Sequence, residues 1–327
     1  GVIMIIGATI FTIFGLNAGG GFSGLKANLP IDYFQILKPI NDPDFPWTGI
    51  LFGAPIIAFW YWITDQYIIQ KVISAKNINE ARKGTYLTGG LKILPLFILV
   101  IPGLIVAVLF PNAKGDAAFL TLVMSNIIPN GVKGLVIAGF LAAIMSSLAS
   151  VINSTSAILT NDFYKVKFTN ATESNLVLVG RLSSILAIVF IILLIPFIKT
   201  MSNYLYIFLQ SIQAFISAPI AAVFLISFGI KNKINSKSIL YALIIGELFG
   251  ILRMIIGFLP ADNIETNTIL FWLSKINYLH FSIFLFCFTI LIFFLLNFSF
   301  NLKKELILNN LTGQINNGIT SRAKING

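Results

Sequence analysis

Ser146 and Ser147 stand side by side in an apolar stretch that continues through Ser150, Asn153, Ser154, Thr155 and Ser156. Serines three or four residues apart commonly serve helix packing in a membrane, a use that fits Ser150 and Ser154. The adjacent pair differs. Two neighbouring hydroxyls, with a backbone carbonyl one turn earlier, present hard oxygens toward one point, as a small alkali cation needs when it sheds its water. A second group is the run Phe59-Trp60-Tyr61-Trp62, followed by Asp65 and Gln66. Rings and an acid at this spacing fit an interfacial aromatic belt. They equally fit a site in which flat apolar faces hold a hydrophilic ligand such as a sugar, with Asp65 and Gln66 supplying hydrogen bonds or orienting a gate. Lys92, after Gly89-Gly90, either snorkels to the membrane surface or turns three donors toward substrate oxygens. Gln210 has an amide that matches a sugar hydroxyl, although bonding between helices is an equal use.

The elements that position these groups must be membrane helices. Of the 327 residues, 57% are hydrophobic and only 10% charged, and mean hydropathy is +0.90, far above a soluble domain. A span needs about 20 apolar residues, and this chain predicts about eight, over 2–17, 49–70, 85–110, 132–159, 176–199, 203–229, 238–259 and 277–299. The short alternating strands of a barrel are absent from the pattern. Gly19 to Pro46 reads as a loop and Ala117 to Ile128 as a short interfacial helix. Residues 300–327 form a cytoplasmic tail, with low order expected after Leu306.

Charge sets the orientation. The loops 71–84, 161–181 and 231–237 and the tail collect most of the Lys and Arg, whereas the opposite loops hold only Lys26, Lys38, Lys114, Lys133, Lys199 and Lys275. The first set is therefore expected in the cytoplasm, and the net charge of +10 reflects this asymmetry, not a nucleic-acid partner. Lys92 and Arg253 remain inside predicted spans; Arg253 and Glu247 lie six apart, off a common face, and each is expected to pair with another helix. A single Cys287 and a single His280 leave no material for a Cys/His metal site, a disulfide framework or a catalytic triad. Gly1 opens an apolar run without a basic leader, so the chain reads as truncated.

Five separated blocks resemble the sodium/solute symporter family, in its sodium/sugar (sodium/glucose) cotransporter branch. They are Phe59 to Gln66 with Ile69-Gln70-Lys71 and Ser74 to Asn77; Gly90-Leu91-Lys92 with Pro95 and Pro102-Gly103; Pro129-Asn130-Gly131 through Ala143; Ser146-Ser147-Leu148 and Asn153-Ser154 to Asp162; and Gln210-Ser211-Ile212 with Pro219 to Phe224. The resemblance implies an all-α polytopic membrane protein with the LeuT-like inverted-repeat fold. It places Gly1 inside the fifth core helix, so that the first repeat is mostly absent and the second is complete. It further implies sodium ligands at Ala143 (carbonyl), Ser146 and Ser147 (hydroxyls). Substrate contacts would be Tyr61, Trp62, Tyr67, Lys92 and Gln210, with Tyr61, Asp65 and Gln66 at the gate. Ala58 departs from the polar side chain often found there, which bears on the choice of solute.

The expected activity is sodium-coupled symport of a small hydrophilic solute by alternating access, with a monosaccharide such as glucose or galactose, or a polyol, as substrate. Sodium is the coupling ion and the bilayer of the plasma (inner) membrane is the surroundings. The alternatives are another solute (myo-inositol, sialic acid or another organic anion) and a transporter-like membrane sensor. An intramembrane enzyme built on His280 or Asp65 would lack a second convergent acid, base or nucleophile, so no enzymatic activity is expected.

Overall fold

The computed structural model describes residues 2–113, 115–201, 205–230, 234–258 and 268–325, with side chains for all of these but 116, 197–201, 258 and 303–325. The elements are helical, with no strand among the described residues. In chain order the helices are α1 (Val2–Ala18), α2 (Gly21–Asn28), α3 (Gly49–Thr64), α4 (Gln66–Ile73), α5 (Ile78–Leu109), α6 (Ala118–Met124), α7 (Asn130–Lys167), α8 (Glu173–Met201), α9 (Leu205–Gly229), α10 (Ser236–Phe258), α11 (Ile269–Lys275) and α12 (Tyr278–Ile325). Two compact units are built from them, one from Gly1–Lys38 with Asp65–Phe208, the other from Pro39–Thr64 with Leu209–Gly327.

The first unit is organised around α1, α5, α6 and α7. Phe11, Leu25, Ile105, Leu122, Val123, Ile128 and Val136 are buried together, and the Phe11 and Phe119 rings meet at 5.3 Å. The α1–α7 crossing is close because of Gly139: a Cβ there would come within 2.8 Å of the Met4 Cα, so any larger residue would separate the helices. The chain bends by 62° between α1 and α2. Gly20 and Gly21 make that bend, with φ of 78° and 70°, a region other L-residues rarely adopt. Helix α5 loosens at Lys92–Ile93, ahead of Pro95, and widens into π turns over Leu96–Val100. A widened turn frees a carbonyl; here Thr12 Oγ1 donates to the Phe97 carbonyl at 3.3 Å and so joins α1 to α5.

In the second unit, α9, α10 and α12 share an apolar core that includes Ile226, Ala242 and Phe293. Two sets of polar contacts fix its ends. Thr48 Oγ1 lies 2.7 Å from His280 Nε2, and Asn277 Nδ2 donates to the Pro43 carbonyl at 2.6 Å, so the start of α12 is held against the approach to α3. At the other contact, Arg253 of α10 is 8% exposed. Its Nη2 donates to the Ser274 and Ile276 carbonyls at 3.0 and 3.1 Å, and its guanidinium lies 5.5 and 5.7 Å from the Phe215 and Phe281 ring centres. The cation thus satisfies the C-terminal carbonyls of α11, a favourable place for positive charge.

Among the described residues, six helices are long and apolar enough to cross a membrane, or seven if the bent α1–α2 pair is one span. Each of the eight expected apolar runs coincides with a helix, but the second is shorter than expected. It is broken at Asp65, and α4 begins as a separate helix. The expected loop from Gly19 to Pro46 contains α2 and a short 3₁₀ turn over Ile31–Phe34. Helix α6 puts Leu122 and Val123 into the core. Helix α12 is drawn as far as Ile325. Residues 203 and 204 of the sixth expected span, 259 of the seventh and 231–233 of the expected cytoplasmic loop lie outside the described residues.

Candidate functional site

Asp65 is the residue whose local role is clearest. It adopts an extended backbone (φ −71°, ψ 118°) between α3 and α4, and its Oδ1 accepts from the Tyr67 backbone N–H at 3.3 Å. Asp65 is therefore the N-cap of α4, where a carboxylate satisfies an otherwise orphaned donor and complements the helix dipole. The sequence signal was available: an acid just ahead of the amphipathic run Gln66 to Ile73 is a helix-start pattern. Its position beside four aromatic residues draws attention to ligand chemistry instead. Gln66 is exposed at the first position of α4, and Tyr67 is half-buried with Lys71 Nζ 5.8 Å from its ring centre.

Tyr61 and Trp62 lie on a π turn, Trp60–Thr64, at the end of α3. Such wide turns occur frequently at functional sites. The two rings meet edge to face, with centroids 5.1 Å apart and planes at 88°. In the same unit, α3 packs on α9 through Phe59 and Phe224, 6.0 Å apart, and Gln210 is half-buried on α9. Lys92 belongs to the other unit, exposed at the C-terminal end of the first, α-helical part of α5.

The serines of α7 divide into two kinds. Ser150 donates to the Ser146 carbonyl, Ser154 to the Ser150 carbonyl and Thr155 to the Val151 carbonyl, each at 2.9 Å. These hydroxyls are used by their own helix. Ser146 and Ser147 are exposed, and Ser146 opens into a cleft of about 610 Å³ lined also by Gln70, Lys71 and Ser74 and by Ala149, Ser150 and Asn153 of α7. Ala143, one turn earlier, is half-buried. The first unit thus brings Ser146 against the α4 segment that Asp65 caps. Tyr61, Trp62 and Gln210 belong to the second unit, whereas Asp65, Gln66, Tyr67, Lys92, Ala143, Ser146 and Ser147 belong to the first. Among the described residues, no three His, Cys, Asp or Glu gather where they could hold a metal ion. The oxygens that α7 offers here are hydroxyls, amides and carbonyls, a set suited to a monovalent hard cation or to a polyol. Sequence reasoning did not anticipate that Gln70, Lys71 and Ser74 face Ser146, because nothing in a linear pattern pairs α4 with α7.

The family model described as "Sodium:solute symporter family" matches residues 1–246. The chain is similar to the human protein named sodium/myo-inositol cotransporter 2, at 35% identity over 324 residues, which cover 87% of this chain and 47% of that protein. It is also similar to sodium/glucose cotransporter 1 of Ovis aries, at 33% identity over 334 residues (89% and 50%), and of Mus musculus, at 32% over 340 residues (90% and 51%). The chain spans about half the length of the curated relatives it matches.

Proposed function

We propose, since this chain belongs to the sodium:solute symporter family, that it carries half of the machinery of a sodium-coupled symporter for a small neutral polyhydroxylated solute, a monosaccharide or a cyclic polyol. The names of its relatives, myo-inositol and glucose cotransporters, support that solute class. The observation that carries the reading is the Ser146–Ser147 pair, two exposed hydroxyls on a helix whose neighbouring Ser150, Ser154 and Thr155 hydroxyls are occupied by the helix itself. In this reading the Ala143 carbonyl and the two hydroxyls replace water around sodium. Lys92 and Gln210 bond the solute's hydroxyls, and the Tyr61, Trp62 and Tyr67 rings wall it. Asp65 acts on the gate indirectly, by fixing where α4 begins. The loops 71–84, 161–181 and 231–237 and the C-terminal tail face the cytoplasm of a plasma (inner) membrane.

The work such a protein performs is transport, not bond-making. Each inward sodium supplies about 2.3 kcal/mol per 100 mV of membrane potential, before any concentration term. Sodium raises solute affinity by ordering elements that both ligands use, and linkage requires the solute to raise sodium affinity by the same factor. Ser147→Ala in the full-length protein tests the assignment. Sodium half-saturation should rise about tenfold, the effect of losing roughly 1.4 kcal/mol of ligation, with uptake restored at saturating sodium. An unchanged sodium dependence would remove the serine pair from the ion site.

A further inference from the structure

The polar face of α7 continues beyond the serine pair. Ser146, Ser150, Asn153, Ser156 or Ala157, and Thr160 follow at intervals of three or four, which places them along one side of the helix. Gln70 and Asn153, on the wall of the cleft beside Ser146, also line a second cleft of about 410 Å³. Its other walls are Ser156, Ala157, Thr160 and Asn161 of α7 with Leu176, Val177 and Gly180 of α8.

Thr160 is the anomaly there. It is 8% exposed, and its Oγ1 is buried with no hydrogen-bond partner among the described residues. A threonine within a helix ordinarily bonds the carbonyl four residues back, as Thr155 does. Thr160 lies instead where α7 widens into the π turns Leu159–Tyr164. It faces Gly180, where an added Cβ would sit 3.5 Å from its Oγ1. The Gly180 carbonyl, within α8, already accepts from Ser156 Oγ at 2.8 Å and Ser184 Oγ at 3.0 Å besides its helical N–H, so it has no place for another donor. The Thr160 hydroxyl is thus left buried against α8, beneath a cleft whose polar wall is entirely neutral. Three carboxamides, Gln70, Asn153 and Asn161, both donate and accept, as a hydroxylated ring requires. Leu176, Val177 and Ala157 offer an apolar surface for its C–H face. A cation would leave the amide donors unused, and an anion would meet no positive charge among these lining residues.

We propose that this cleft is a second solute site, for a neutral hexose or cyclic polyol, separate from the contacts at Lys92 and Gln210 and reached from the side assigned to the cytoplasm. The assignment of solute class rests on the function proposed above. The test uses a cysteine-free background of the full-length protein carrying Ala157→Cys, in inside-out vesicles, labelled with a membrane-impermeant maleimide. Myo-inositol or glucose should slow labelling, equally in sodium and in potassium, and still do so when Gln210→Ala is added. Asn161→Ala should raise the protective concentration about fivefold, the effect of one lost hydrogen bond, and Asn161→Gln should restore it. Absence of protection by both solutes would overturn the proposal. So would protection that needs sodium or is lost with Gln210→Ala, because the effect would then belong to the other site. Sodium-dependent uptake in the same preparation reports on symport separately: its absence would sink the transport reading while the labelling result still decides this site.

Discussion

Asp65 changes meaning once its backbone is seen. Beside four aromatic rings it reads as a ligand or gate charge, but its carboxylate is engaged in capping α4 through the Tyr67 N–H. The two roles separate by substitution. Asn caps a helix as well as Asp does, whereas Ala does not. Asp65→Asn should therefore keep thermal stability and transport, and Asp65→Ala should cost about 1 kcal/mol of stability, measured by unfolding of the detergent-solubilised protein. Loss of transport in Asp65→Asn with stability intact would return the charge to the mechanism. Residue types alone made Ser146, Ser147, Lys92 and Gln210 legible as candidates. What they could not give is which hydroxyls the helix keeps for itself; that depends on rotamers, and only the Ser150, Ser154 and Thr155 back-bonds set the pair apart.

At the scale of elements, hydropathy located the apolar helices well, because a run of about 20 apolar residues has few other fates. It located breaks poorly. Hydropathy does not show the π turns at Trp60–Thr64, Leu96–Val100 and Leu159–Tyr164. Arg253 illustrates the same limit. Its presence in a span announced a partner on another helix, and that partner is the carbonyl end of α11, which no sequence pattern singles out. Because Nη2 reaches both carbonyls while the flat, delocalised cation rests against the Phe215 and Phe281 rings, Lys is no substitute. Arg253→Lys and Arg253→Met should each destabilise the protein by about 2 kcal/mol, read as a lowered unfolding midpoint. A midpoint equal to the parent's would mean that the clamp contributes nothing.

For the whole molecule, family membership follows from the match over residues 1–246. The proposed orientation rests on the asymmetry of Lys and Arg between alternate loops. The candidate residues fall in two compact units, each of which is folded on its own core. The most direct measurement is uptake of labelled myo-inositol and glucose by the full-length protein in proteoliposomes, with an inward sodium gradient compared with an equal potassium gradient. The account predicts concentrative uptake of at least one of the two solutes that collapses when potassium replaces sodium. Uptake at the same rate in both gradients, or no uptake of either solute by folded protein, would contradict it.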